Sequence, residues 1–186
     1  VVEQCRTVAS KGSTVPHLWI EANLDAIRRD FPAPTVHSRN LWHLSAVMWD
    51  AWALHTPGAT PYFGGESVTV AEDDRVGAIR EAISFAAHRL LSDRYASAVG
   101  AEESLAAFDE LTAALCLDRA VEPEAGTFGA IGVAIAERAL EFGGTDGSLE
   151  SSRYLDLSYQ PVNPPLLVAS DEIVMVDPNR WQPLQL

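Results

Sequence analysis

The sequence predicts an all-α fold: about five helices packed around a central apolar helix, followed by a long Pro-rich ordered strap. Three observations predict it. Apolar residues recur at i, i+3, i+4 and i+7 in successive segments between residues 16 and 142, the mark of helices with a buried face. Pro and Gly clusters at residues 30–34 and 56–65 punctuate those segments. After Gly144 the helical period stops, and Pro161, Pro164, Pro165, Pro178 and Pro183 fall within the last 42 residues.

Residues 1–15 read as a loosely held lead-in. A first helix is expected over residues 16–29, with Pro16 in its first turn and Leu18, Ala22, Leu24 and Ile27 near helical spacing. Pro32 and Pro34 bias the residues before them away from the helical region and end it. The second helix, residues 35–55, takes Thr35 as N-cap and places Leu41, Leu44, Met48, Ala51 and Trp52 on one face. Val47 and Trp42 carry apolar surface well round the cylinder, as expected of a central helix. The third helix starts near Asp73 and Asp74, whose carboxylates suit a helix N-terminus, and continues through Ile79, Ile83, Ala87, Leu90 and Leu91. A fourth is expected over 101–119, carrying Leu105, Phe108, Leu111 and Leu115. A fifth is expected over 127–142, with Gly143-Gly144 as its C-cap. The helical domain thus covers 16–144. Residues 145–186 form the strap, too apolar at 154–159, 166–168 and 173–176 for a solvated linker.

The chain has 186 residues, enough for one domain with a real core. Against 26 Asp and Glu stand 13 Lys and Arg, a net charge of −13. That balance argues against a nucleic-acid backbone and against a polybasic membrane anchor as partner. No apolar run approaches the roughly 18 residues of a membrane span, and no secretory-signal pattern is visible at the start. Val1 is not an initiator Met, so a processed or trimmed chain is expected. Cys5 and Cys116 make neither a disulfide framework nor a zinc site; their separation leaves a pairing possible but nothing in the sequence supports it, and a helical Cys116 is expected as a buried small hydrophobe.

Candidate chemistry is sparse. His17 reads as a surface residue. His37 and His43 are six apart, outside the i, i+3 or i, i+4 spacing that converges on a metal, and they read as packing or capping groups. Asp50 lies seven residues past His43, too far for a direct bond along one helix. His55 suits a helix C-terminus, and His88 a satisfied core or boundary position. Gly126-x-x-Gly129-x-x-Gly132 lacks the spacing and preceding strand of a dinucleotide fingerprint and reads as close helix packing. Asp146-Gly147-Ser148-x-Glu150 reads as a turn rather than a calcium loop. Trp42, Trp49 and Trp52 recur near helical spacing and are expected in the core.

Residues 24–30 (LDAIRRD) and 34–52 (PTVHSRNLWHLSAVMWDAW), with 144–148 (GTDGS), 159–166 (YQPVNPPL) and 177–184 (DPNRWQPL), carry a resemblance. Together they resemble the N-terminal helical region of bacterial vanadium-dependent haloperoxidase-like proteins, in the type 2 phosphatidic acid phosphatase superfamily. The resemblance implies an all-helical enzyme in which vanadate and hydrogen peroxide oxidise halide. In that family a Lys, two Arg and a Gly-Ser cradle hold the oxyanion, one His coordinates it and a second does acid–base work, and these signatures lie downstream of the region matched here. Lys11 is the only lysine, no Arg-Pro follows it at the family spacing, and there is no Pro-Ser-Gly-His. Ser38-Arg39-x-x-x-His43 followed by Asp50 mimics a third signature, but its His comes too early and it reads as chance. No catalytic, cofactor-binding or metal-binding residue is therefore assigned to this chain.

The expectation is an N-terminal structural part of a haloperoxidase-like protein, with a C-terminal catalytic half as partner, a homo-oligomer as a further option, and vanadate implied only for that other half. Relatives that are often exported tilt the expected location the same way. A stand-alone, non-catalytic helical interaction module is the alternative. A small-molecule or metal-binding protein using the Trp/His helix is a third.

Overall fold

A computed structural model describes residues 13–65, 68–117, 126–169 and 172–185. Among them are five α-helices: α1 (Val15–Arg29), α2 (Pro34–Ala53), α3 (Glu72–Tyr95), α4 (Ala101–Ala114) and α5 (Phe128–Thr145). A single turn of 3₁₀ helix (Glu150–Ser152) follows. Two short strands, β1 (Leu166–Leu167) and β2 (Leu184–Gln185), pair in parallel, Leu166 opposite Leu184. The protein is mostly helical, as its period predicts. No helix among the described residues is long and apolar enough to cross a membrane.

The chain divides into two compact units, residues 1–142 and 143–186. In the first, α1 opens with Thr14, whose Oγ1 accepts the His17 N–H at 3.4 Å, and Pro16 stands in the first turn. It closes at Asp30, whose Oδ1 accepts the N–H of Phe31 at 2.8 Å and of Val99 at 3.2 Å, tying the helix end to the turn between α3 and α4. Gly100 makes that close approach possible, because a Cβ there would lie 2.5 Å from the Arg29 Cβ.

Several expected boundaries move. α2 begins at Pro34, and Ala33, not Thr35, occupies the cap position without a side-chain bond. The capping work falls to His37, whose Nε2 lies 3.2 Å from the Ala33 nitrogen and 3.1 Å from the Phe31 oxygen. α5 does not stop at Gly143-Gly144 but runs through both to Thr145. Glycine costs a helix about 1 kcal/mol relative to alanine, too little to break one that is otherwise well formed. α4 ends at Ala114, and the expected extension at 118–119 lies outside the described residues. Cys116 therefore follows the helix. It is exposed at φ +61° and disulfide-bonded, not a buried thiol; the only other cysteine of the sequence, Cys5, lies outside the described residues.

The second unit is held by side-chain amides in place of helical bonding. Asn163 is 1% exposed. Its Nδ2 donates to the Asp177 and Arg180 carbonyls, each at 2.9 Å, and its Oδ1 accepts the Val176 and Asp177 N–H groups, each at 2.8 Å. Gln182 Nε2 donates to the Pro164 and Val174 carbonyls at 2.9 Å. Two side chains thereby satisfy backbone groups that a Pro-rich segment cannot pair in a ladder.

In the first unit, apolar packing of Trp19, Leu44, Val47, Ala86, Leu90, Phe108 and Ile135 forms one core. α5 lies against α3 at Gly132, where a Cβ would fall onto the Ala82 carbonyl oxygen. Inside this core sits a polar node. The Tyr95 hydroxyl of α3 donates to Asn23 Oδ1 of α1 at 2.7 Å, and the Asn40 side chain of α2 bonds the same phenol. All three residues are buried, so each bond stands in for lost water and fixes three helices at one point.

Burial, offset in part by the Asn40 bond and reinforced by the charge of Asp30, pushes the Tyr95 phenol from 10.0 up to about 12. A raised acid pKa means the unfolded chain ionises first. Stability is therefore whole below pH 10 and falls as pH climbs from about 10 to 12, by roughly 2–3 kcal/mol from this group. Tyr95→Phe should lower stability at neutral pH by about 1–3 kcal/mol, because Asn23 Oδ1 loses its donor. It should also flatten the alkaline decline, which urea denaturation across pH 8–12 would reveal.

Candidate functional site

α2 gathers most of the residues that sequence reasoning singled out, and it does so by an inversion. Its polar side chains point inward: His37, Asn40, His43 and Asp50 are all buried. Its tryptophans point outward. Trp42, Trp49 and Trp52 are exposed, which corrects the expectation that they pack in the core. Trp49 and Trp52 lie against each other at a 41° tilt with centroids 4.9 Å apart, and Trp49 Nε1 donates to the Thr60 carbonyl at 3.1 Å. Trp42 lies among Tyr62, Phe63 and Phe142, at 5.5, 6.1 and 6.1 Å. The result is a half-exposed aromatic surface along one side of α2.

Asp50 explains why the loop after α2 lies where it does. Its two carboxylate oxygens accept the backbone N–H groups of Tyr62 at 2.5 Å and Phe63 at 2.8 Å. Arg138 of α5 holds the next residue, Nη1 donating to the Gly64 carbonyl at 3.2 Å. Burial raises the Asp50 pKa above 3.8, and the Tyr62 and Phe63 bonds together with the Arg138 charge pull against that rise. The carboxylate is thus a latch that seats Tyr62 and Phe63 against Trp42. No geometry here offers it a substrate.

The histidines separate rather than converge. His43 Nδ1 accepts from Arg94 Nη2 at 2.8 Å, which places the lone pair on that nitrogen, and the ring lies tilted against Trp42 with centroids 4.6 Å apart. His55 Nδ1 faces the Ala51 carbonyl at 2.7 Å near the end of α2, and the ring meets Phe128 edge-on. His88 lies 2.8 Å from Asp109 and 3.3 Å from Ser92 Oγ, linking α3 to α4. Ser92, His88 and Asp109 carry the residue types of a nucleophilic triad. However, the carboxylate is the exposed end and the imidazole the buried one, the reverse of an orienting acid behind an accessible nucleophile. His17 is exposed at the start of α1.

The remaining motifs are structural. Gly129 N–H donates to Glu81 Oε1 at 2.9 Å, Gly132 permits the α5–α3 approach, and Gly126 lies before the helix at φ +89°. Asp146 Oδ1 accepts the Ser148 N–H at 3.0 Å in a turn. Among the described residues, no group of three or more His, Cys, Asp or Glu is placed to hold a metal ion.

Two cavities lie near the N-terminal half of α3. One of about 560 Å³ is lined by Val15, Asp74, Arg80, Glu81, Ser84 and Phe128; one of about 230 Å³ by His55, Thr56, Thr69 and Arg75. Both signs of charge meet in the larger. A vanadate cradle needs several cationic donors converging on one oxyanion. Each cavity has a single arginine in its lining, Arg80 beside Asp74 and Glu81 in the larger and Arg75 in the smaller, while Arg94 is engaged with His43 and Arg138 with a loop carbonyl. These residues do not fit the group, and no step is assigned to it in this chain.

Sequence reasoning missed the outward seam of α2 and the Asp50 latch. The seam carried a signal: Trp42, Trp49 and Trp52 alternate with Ser38 and Ser45 at intervals of four and three. The latch carried none, because it depends on a loop twelve residues away. Comparison with protein families, with curated proteins and with solved structures gives no match to this chain.

The latch has a measurable consequence. Asp50→Ala leaves two backbone N–H groups without their acceptor and should cost about 2–4 kcal/mol, whereas Asp50→Asn keeps one acceptor and should cost less. Because the folded pKa lies above 3.8, the native state favours the protonated carboxyl relative to the unfolded chain. The stability advantage of the native residue over Asp50→Asn should therefore be largest at low pH. It should shrink as pH rises through the raised pKa, as paired denaturation curves between pH 4 and 7 would record.

Proposed function

We propose that this chain is the N-terminal structural part of a vanadium-dependent haloperoxidase-like protein and contributes packing surface, not catalytic groups. The observation that carries the reading is the second unit. Its fold is fixed by Asn163 and Gln182, yet its apolar side chains face outward: Leu157 is 88% exposed, and Ile173, Val174, Met175 and Val176 are exposed in a row. An ordered segment that holds successive apolar residues in water is the signature of a surface awaiting a partner. In this reading the partner is the catalytic half, which supplies the Lys, Arg and His donors for vanadate and carries out peroxide-dependent halide oxidation. The present chain would cover part of that half and shape access to it. The resemblance at residues 24–52 and 144–184 supplies the family; the sparse, dispersed cations and histidines support a role without chemistry.

The stand-alone interaction module is favoured by a different feature, the exposed tryptophans of α2, which need no second half of the same protein. Two experiments separate the readings. Sequencing the gene should show coding sequence beyond Leu186 with the Lys/Arg and Ser-Gly-His signatures; a stop codon there with no partner frame would overturn the proposal. The isolated chain should also bind a hydrophobic dye in its native state through the second unit, with Val174→Ser and Val176→Ser lowering the signal severalfold. A dye-silent chain that melts in one cooperative transition favours the module.

A further inference from the structure

We infer that the outer seam of α2 is a two-fold self-association face, on which two copies of this chain pair their α2 helices antiparallel. The inference rests on α2 alone and stands apart from the family reading. Beyond Pro34, the exposed residues of the helix are Thr35, Ser38, Trp42, Ser45, Trp49 and Trp52. Their intervals are three, four, three, four and three, the seam spacing of two helices packed side by side at a shallow angle. The buried residues of the helix already face neighbouring elements, and its exposed residues beyond Pro34 all fall on the seam, which leaves that side for a further helix.

The seam is complementary to itself. Its hydroxyl residues and its tryptophans are arranged so that, on reversing one helix, Trp42 lies over the second copy's Ser45, Trp49 over its Ser38 and Trp52 over its Thr35. Each of these large-on-small pairs occurs twice around the axis, as an isologous contact requires. The indole N–H groups are accounted for as well. Trp49 has already spent its donor on the Thr60 carbonyl, while Trp42 and Trp52 bond no acceptor among the described residues and would meet the Ser45 and Thr35 hydroxyls. Trp42, Trp49 and Trp52 are 41%, 48% and 37% exposed. An aromatic side chain buries roughly 150–250 Å² in all, of which somewhat under half remains open at each of the three, so together they offer a dry centre for an interface, with Tyr62 and Phe142 extending it beside Trp42.

Charge permits this partner. The seam carries no ionisable residue, so pairing brings no like charges into contact although each copy bears −13. The remaining repulsion acts at long range and is screened by salt.

Sedimentation of the full chain over a concentration series, at low and high salt, tests the inference. A monomer–dimer equilibrium that tightens as salt rises is expected. Trp52→Glu should raise the dimer dissociation constant at least about tenfold with helix content by circular dichroism unchanged. Ser38→Arg, at a small exposed site that does not endanger the fold, should do the same. Combining Thr35→Arg with Trp52→Glu should restore the dimer, since the two new charges face each other in this register. A chain that stays monomeric throughout overturns the inference. So does a dimer indifferent to Trp52→Glu and Ser38→Arg, which would place association elsewhere, as on the second unit. A double variant no better than Trp52→Glu alone would overturn the antiparallel register.

Discussion

The structure depends on one constraint: α2 is buried on almost every side while carrying polar groups inward. A buried donor or acceptor without a partner costs about 1–3 kcal/mol, so a helix with His37, Asn40, His43 and Asp50 in the interior is tolerable only if its neighbours answer them. Each side chain has at least one such partner, in order along the helix, although His37 Nδ1 and Asn40 Oδ1 bond nothing among the described residues. His37 closes the turn that brings α1 to α2, Asn40 joins the Tyr95 phenol, His43 takes the Arg94 guanidinium, and Asp50 seats the following loop. Because these partners come from the turn after α1, from α3 and from the loop, bonding α2 also fixes where those elements lie. The aromatic cluster of Trp42, Tyr62, Phe63 and Phe142 is downstream of the same constraint, since the Asp50 latch puts two of its four rings in place.

The second unit solves the opposite problem. It has scarcely any regular backbone bonding to organise, and its five prolines confine the ladder to the two-residue pairing of β1 with β2. Asn163 and Gln182 replace the ladder with bonds from side-chain amides to backbone groups between residues 164 and 180. Such bonds order a chain without asking its apolar residues to turn inward. That is why this unit can be ordered and apolar-faced at once, and why a packing role suits it better than a catalytic one.

The helices were legible because their apolar period is strong: the positions of Ile83, Ala87, Leu90 and Leu91 leave α3 little alternative. Helix ends were less so. Thr35 has the chemistry of an N-cap, but Pro34 can already adopt the first helical turn, and His37 caps from within. Trp42, Trp49 and Trp52 misled for a more general reason. Residue type says buried, whereas the phase of the helix is set by Leu44, Val47, Met48 and Ala51, and those positions carry Asn40, His43 and Asp50 inward with them. A hydrophobicity pattern cannot reveal that exchange, because the partners that make buried polar groups tolerable lie on other elements. The heptad alternation of Trp with Ser was the readable trace. The disulfide at Cys116 had no local trace at all.

The account turns on that exchange of inside and outside along α2, and indole hydrogen exchange reads it directly. In dilute protein at low salt, the Trp19 N–H, fully buried and bonded to Ser84 Oγ at 3.3 Å, should exchange only when the protein unfolds. The Trp42 and Trp52 indoles should exchange rapidly with solvent in the native state. Trp42 and Trp52 protected as strongly as Trp19 in the monomer would mean that α2 presents its tryptophans to the core, and would contradict the account.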